Sequence, residues 1–277
     1  MVLASIVEII KYMKEPLLVG LLLSISASIV GVILVLKRYS MIGDGLSHVG
    51  FGAFAVALAL NQQPIVVALP IVIIAAYILL RIGESKKLKG DAAIAVISSG
   101  ALAVGYLVGN LSNGFSADIA SYMFGSITTA TKQDLYYILP LTIAILLLFL
   151  LFQNRIFAVT FDESFAKAMG IQTRIYNIGL SIITAVIVVL GIRIMGTLLI
   201  SSLIIFPALS AMRIFKRFKW TVWASMIISI ICFLIAFFAF TQYSSASSIV
   251  LVNLIFYILT SVFSVIKRKR EAKIDNK

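Results

Sequence analysis

The 277-residue sequence carries little charge, a single cysteine and a single histidine. Charged residues make up 12% of the chain, whereas soluble globular domains carry about 25%. The lone cysteine, Cys232, excludes an intrachain disulfide and a zinc cluster built from several thiolates. The sequence also lacks a GxxxxGK[ST] phosphate loop, an HExxH pair and a GxSxG elbow. ATP hydrolysis by a P-loop is therefore excluded, and an intramembrane metalloprotease is disfavoured.

Apolar residues account for 61% of the chain, and the mean hydropathy is +1.11. One soluble core cannot hide that much apolar surface from water, so the composition indicates an integral membrane protein. A spanning helix needs about 20 mostly apolar residues. The predicted spans are 17–36, 46–60, 64–80, 91–110, 134–153, 174–190, 194–212, 221–240 and 247–266. We therefore expect an all-α polytopic bundle of about eight or nine spanning helices in one transmembrane domain over 1–277.

Most basic residues lie in alternate links between the spans and in the tail at 267–277. Of the 23 Lys and Arg residues, all but Lys11, Lys14, Lys132 and Arg193 follow this pattern. Such segregation predicts that the basic links and the C-terminal tail lie in the cytoplasm, next to the anionic leaflet. It argues against a surface that binds nucleic acid. Nine spans then put the N-terminus outside. Residues 2–14 have apolar positions at helical spacing and are predicted to form an amphipathic helix on the outer surface.

Asp44 and His48 are ionisable residues at the start of an apolar, glycine-rich stretch. Their spacing of four places them on one face of a helix, and ionisable groups in such segments are candidate functional residues. Carboxylate oxygen and imidazole nitrogen together suit Zn²⁺, Mn²⁺ or Fe²⁺. The alternative is that Asp44 caps the helix and His48 packs in the core.

One chain offers too few ligands for a closed metal site. Zinc in proteins usually has four ligands, at least three of them protein groups, and the chain has no second histidine. A two-fold homodimer would bring together two copies of Asp44 and His48. Because Lys37 and Arg38 set Asp44 near the cytoplasmic entry of its span, a central site would need an unwound or re-entrant segment at 39–46.

Two further stretches interrupt the apolar pattern. In 154–174, Asp162 and Glu163 are predicted to open a short amphipathic helix that stops at Gly170. That helix either docks into a partner's groove or is a solvated connector. In 191–213, small and polar residues and one proline interrupt an apolar helix, as they do both where helices line a pathway and in ordinary packed helices. The candidate pathway residues there are Gly196, Ser201, Ser202 and Pro207, the last expected to kink the helix.

Four motifs are spread over nearly the whole chain. They are LKRYSMIGDGLSHVGFGAFAVAL, DIASYMFGSITTATKQDL, VTFDESFAKAMGI and GTLLISSLIIFPALSA. The first holds Gly-Asp-x-Leu-Ser-His, the second Asp-x-x-x-Tyr-x-Phe-Gly, and the third Phe-Asp followed by Ala-x-x-x-Gly. With these motifs the sequence resembles the membrane permease of bacterial zinc/manganese-type ATP-binding cassette importers.

The resemblance implies a homodimeric permease in the bacterial cell membrane, in contact with lipid. Two ATPase subunits would bind inside and supply the energy, and an extracytoplasmic metal-binding protein would deliver the ion outside. Asp44 and His48 match the residues of the family's intramembrane metal site, which both protomers share. Residues 162–170 match its cytoplasmic coupling helix. The coupling residues implied are Phe161, Asp162, Glu163, Phe165, Ala166, Met169 and Gly170.

The expected activity is transport by alternating access, without an ATPase site or a permanently bound cofactor in this chain. The wording around His48 resembles zinc-associated members of the family, so Zn²⁺ is the expected ion. Manganese or iron import by the same kind of permease is the alternative. A secondary transporter driven by an ion gradient is a different class, but it needs mid-span carboxylates, and beyond Asp44 no clear candidate is present. A purely structural scaffold would need neither Asp44 nor His48.

Overall fold

The computed structural model describes residues 12–83, 90–111, 123, 125, 127–239 and 245–275, and these residues are helical with short links. The helices are α1 (Lys14–Leu36), α2 (Ile42–Ala59), α3 (Pro64–Gly83), α4 (Gly90–Leu111), α5 (Lys132–Phe161), α6 (Glu163–Ala168), α7 (Thr173–Met195), α8 (Thr197–Ile214), α9 (Phe218–Ala239) and α10 (Ser245–Asp275), with a 3-10 turn at Ile127–Thr129. Among the described residues, nine helices are long and apolar enough to cross a membrane. The all-helical membrane bundle is confirmed.

Several helices run past the predicted ends of the spans. α5 continues from the predicted end at 153 to Phe161, because polar residues such as Asn154 and Arg155 lie on its exposed face and leave the helical hydrogen bonds intact. The basic tail predicted from Lys267 continues α10 to Asp275. Most of the predicted surface helix at 2–14 lies outside the described residues, the first of which is residue 12.

Helices α1 and α2 form the centre of the bundle, while α4, α5 and α10 expose most of their surface. A polar seam joins α1 to α9: Ser229 Oγ donates to the Ser24 carbonyl at 3.1 Å, and Ser225 Oγ donates to the Ser28 carbonyl at 3.3 Å. Small residues let the helix backbones approach closely enough for these bonds. The seam fixes α1 in place, and α1 in turn positions the start of α2.

Candidate metal site

The link between α1 and α2 reverses the chain within five residues. Arg38 has a left-handed φ of 65°, and the Tyr39 amide donates back to the Leu34 carbonyl at 2.8 Å, which closes the end of α1. The Tyr39 hydroxyl donates to the Leu80 carbonyl of α3 at 3.3 Å. Residues 42–46 are helical, so the expected unwinding of 39–46 is wrong for its second half.

The start of α2 lies inside the bundle rather than at its edge. A Cβ at Gly31 of α1 would meet the carbonyl oxygen of Ile204, and a Cβ at Gly43 of α2 would meet the side chain of that same Ile204. Gly43 is therefore level with Gly31, about 7 Å from the end of α1 at 1.5 Å per residue. His48 lies about 7 Å further along α2, away from the link. The packing of Gly31 and Gly43 against Ile204 therefore sets the start of α2 inside the bundle, while its first turn stays helical.

Asp44 and His48 point into the same space. Asp44 Oδ2 and His48 Nε2 are 3.6 Å apart, and their side chains are 41% and 23% exposed in the single chain. The separation is too long for a hydrogen bond, and it leaves lone pairs of both groups open on one side. His48 Nδ1 faces the other way, buried and without a hydrogen-bond partner in the described part of the chain. The Oδ2 and Nε2 atoms are thus close enough to bind one ion, and both side chains are partly exposed in the single chain.

Two serines lie next to this pair, at the contact between α2 and α8. Ser47 Oγ donates to the Asp44 carbonyl at 2.7 Å and lies 3.1 Å from Ser201 Oγ of α8. Ser201 also donates to the Thr197 carbonyl at 2.9 Å, and its hydroxyl is within reach of the Asp44 carboxylate. Sequence reasoning named Ser201 but missed Ser47, although Ser47 stands inside the same Gly-Asp-x-Leu-Ser-His motif. Each hydroxyl donates its one hydrogen to a backbone carbonyl, and the close approach of the two oxygens brings α2 and α8 into contact beside Asp44.

The other three candidate pathway residues have different surroundings. Gly196 is the junction of α7 and α8, with φ 82° and ψ 167°, so two helices meet where a span starting at 194 was predicted. Ser202 donates to the Leu199 carbonyl at 2.8 Å, a bond that stays within α8. Pro207 lies buried inside α8, and the helix continues through it to Ile214. Of the four residues, Ser201 is the one that the structure brings to Asp44.

Asp44 and His48 form a pair, not a complete ligand set. Across the described ranges, no group of three or more His, Cys, Asp or Glu side chains could hold a metal ion. A carboxylate and an imidazole leave at least one protein ligand of a typical zinc site to be supplied from elsewhere.

The short helix predicted at 162–170 is present as α6 with its caps. Asp162 Oδ1 accepts from the Phe165 amide at 2.9 Å as an N-cap, and Gly170, with φ 79°, ends the segment. Ala166 is fully buried, whereas Phe165 and Met169 are 59% and 62% exposed. The segment therefore anchors itself through one small residue and leaves large apolar side chains uncovered in the single chain.

A chain of polar contacts connects α6 to the end of α1. Glu163 accepts from Thr173 Oγ1 at 3.0 Å and from Asn177 Nδ2 at 3.3 Å, and it pairs with Lys167 at 2.8 Å. Asn177 Oδ1 in turn accepts from Lys37 Nζ at 2.6 Å. Burial acts to raise the pKa of Glu163, but these donors outweigh it and hold that pKa below its usual value. Sequence reasoning missed Thr173 and Asn177, since nothing in their local pattern marks them.

At the opposite end of α5 and α7, a second ion pair joins the two helices. Asp134 Oδ1 lies 2.9 Å from a guanidinium nitrogen of Arg193, close enough for an ion pair although the angle does not suit a hydrogen bond. Asp134 Oδ2 accepts from the Thr131 amide and hydroxyl, both at 2.8 Å, in a capping box. Arg193, which departs from the basic-link pattern, is therefore neutralised by Asp134.

The sequence matches a family of membrane transport proteins. A model described as the ABC 3 transport family matches residues 9–264. The manganese import system permease protein ScaB of Streptococcus parasanguinis is 26% identical over 200 residues, which cover 72% of this chain and 71% of that protein. The high-affinity zinc uptake system membrane protein ZnuB of Haemophilus influenzae is 27% identical over 197 residues, which cover 71% of this chain and 76% of that protein.

The fold is also similar to a solved structure. PsaBC from Streptococcus pneumoniae, solved in complex with Fab, contains a chain that superposes with a TM-score of 0.81 at 26% identity, covering 93% of this chain and 95% of that one. The similarity therefore extends over most of the bundle.

Proposed function

This chain belongs to the ABC 3 transport family and is the permease of a metal importer of the ATP-binding cassette type, and we propose that its ion is Zn²⁺. The observation that carries the proposal is the Asp44–His48 pair, whose Oδ2 and Nε2 atoms lie 3.6 Å apart on partly exposed side chains. The match to the family supports a multi-pass location in the cell membrane, with the basic links and the C-terminus in the cytoplasm.

A homodimer would complete the site. The two ligands of one chain, repeated by a two-fold axis, give two carboxylates and two imidazoles, which is the number that a tetrahedral zinc site uses. Imidazole suits zinc better than the harder ions Ca²⁺ and Mg²⁺, which prefer oxygen ligands throughout. The partial exposure of both side chains supports this arrangement, since the missing ligands can approach from the open side.

Energy for transport would come from two ATPase subunits bound to the cytoplasmic face. The sequence has no phosphate loop of its own, and Phe161, Phe165 and Met169 are each more than half exposed around α6. An apolar surface of this kind fits a groove on a partner. The polar contacts from Glu163 to Lys37 would then transmit a movement of α6 to the end of α1, just before Asp44. An extracytoplasmic metal-binding protein would load the ion from outside.

Manganese is the second candidate, because relatives of similar identity are named for manganese as well as for zinc. Mn²⁺ prefers carboxylate, carbonyl and water ligands, and the Asp44 carboxylate with the Ser201 hydroxyl nearby offers oxygen atoms. One assay can compare the two ions directly.

Uptake of radiolabelled zinc and manganese tests the proposal. Cells lacking their own importer would express the permease with its cognate ATPase and binding protein, and carry Asp44→Ala, His48→Ala or the control Asp91→Asn. Asp91 is an exposed carboxylate in the first turn of α4, three residues before Ile94, which packs on Gly45, so the control removes a nearby charge that is not part of the pair. We expect both site variants to reach the membrane and lose zinc uptake, while the control retains it. Loss confined to manganese would establish manganese as the ion, and normal uptake by both site variants would refute the metal site.

A further inference from the structure

A crevice of about 880 Å³ opens between α1, α5 and α7. Its walls are apolar, formed by Ile33 of α1, Phe149 of α5 and Leu180 of α7. The volume is in the range of pockets that hold small organic ligands. The crevice is partly open, and Leu151 of α5 is 73% exposed, as expected of a helix in contact with lipid. It lies apart from Asp44 and His48, neither of which lines it.

A glycine of α7 leaves part of the crevice open. Gly179 lines it, and a Cβ built there would meet no atom within 4 Å. No side chain from α7 therefore fills the space at this position. A long, flexible apolar group could enter from the side of the membrane without moving the helices.

The mouth of the crevice is basic. Lys37 and Arg155 line it, and no acidic side chain is among the described residues that do. Arg155 lies over the ring of Phe152 at 6.0 Å, which holds the guanidinium beside the opening. Lys37 donates to Asn177, which also lines the crevice. Both cations are near the ends of helices that lead to the basic links, which is the level of lipid headgroups.

We propose that this crevice binds an anionic phospholipid of the leaflet next to the basic links, with an acyl chain between Phe149 and Leu180 and the phosphate beside Arg155. Apolar walls and a cationic mouth match the two halves of such a lipid, and basic pockets between membrane helices bind anionic headgroups. The inference does not depend on which metal the permease moves. Because Met169 and Gly170 also line the crevice, the lipid would contact the 162–170 segment.

Native mass spectrometry of the full-length purified protein can test the proposal. The delipidated protein would be titrated with dioleoyl-phosphatidylglycerol or with dioleoyl-phosphatidylcholine, and the bound lipids counted. We expect phosphatidylglycerol to bind about fivefold more tightly, the preference that one basic side chain near a membrane surface contributes. Arg155→Gln should remove most of this preference, and Gly179→Phe should weaken binding of both lipids by filling the crevice.

Gly100→Phe is the matched control, because a Cβ at Gly100 also meets no atom within 4 Å but Gly100 lies on α4, away from the crevice. We expect it to bind both lipids as the unmodified protein does. Arg155 is exposed, so Arg155→Gln should fold normally and decides the headgroup part even if Gly179→Phe folds poorly. Equal binding of the two lipids, or a preference that survives Arg155→Gln, would overturn the proposal.

Discussion

Replacing Arg193 by Met is expected to destabilise the protein by leaving the Asp134 carboxylate without its cation. Asp134 is 4% exposed and Arg193 34% exposed. Removing one partner of a fully buried ion pair costs about 3–5 kcal/mol. Water reaches the Arg193 side, and Asp134 keeps two hydrogen bonds from Thr131, so the cost should fall to about 2–3 kcal/mol. For a chain of this length that corresponds to a melting temperature lower by about 4–6 °C.

Cys232 provides the assay for this change. It is the sole cysteine and is fully buried, so a thiol-reactive dye gives fluorescence only when the bundle unfolds. Lys167→Met is the matched control, because it removes a cation whose partner is Glu163 but whose side chain is 63% exposed. Such surface pairs contribute up to about 1 kcal/mol, so the control should melt within about 2 °C of the unmodified protein.

The double variant Asp134→Asn with Arg193→Met separates burial of a charge from loss of packing. With both charges removed, no unpaired ion stays in the bundle, so the double variant should be more stable than Arg193→Met alone. The reasoning is refuted if Arg193→Met melts no lower than the Lys167→Met control, because the pair would then contribute no more than an exposed one.

Other positions give independent tests. Gly196→Ala should cost about 1–3 kcal/mol, because φ 82° with ψ 167° is a conformation open essentially to glycine, and the same dye assay measures it. Gly31→Val should cost at least about 1–3 kcal/mol, since its Cβ would clash with the Ile204 carbonyl oxygen; an unchanged melting temperature would contradict this close approach. Glu163→Gln should lower the melting temperature at pH 7, and the difference should shrink as the pH falls below 4.5, because a carboxylate with a lowered pKa stabilises the fold only while it is ionised. Lys37→Met should reduce ion uptake per ATP hydrolysed in the reconstituted importer, and a ratio equal to that of the unmodified protein would show that the contact with Asn177 does not transmit movement.

Much of the bundle could be predicted from the sequence because its signals are local. Apolar runs of about 20 residues mark spanning helices wherever they pack, and all nine predicted spans have a corresponding helix. Asp162 and Gly170 set the ends of α6 through contacts within a few residues. Predicted ends were wrong where hydropathy and helicity differ, as in α5, which remains helical through polar residues after it leaves the apolar run.

The candidate site could also be predicted only in part from the sequence. A spacing of four fixes Asp44 and His48 on one face of any helix that contains them, so the sequence alone determined that pair. Their place inside the bundle was decided by tertiary structure, because it depends on the contacts of Gly31 and Gly43 with Ile204 of α8. Ser201 joins them for the same reason, since helix packing brings it to Ser47.

Tertiary structure alone also decided which side chains are the partners of Lys37 and Arg193. The hydrogen bond from Lys37 to Asn177 and the ion pair of Arg193 with Asp134 join helices that are distant in sequence. Composition and the positions of the basic links determined that the chain crosses a membrane and which links share a face. They could not determine these partners, because a contact between distant residues depends on how whole helices pack against each other, and hydropathy and helical periodicity carry no information on that packing.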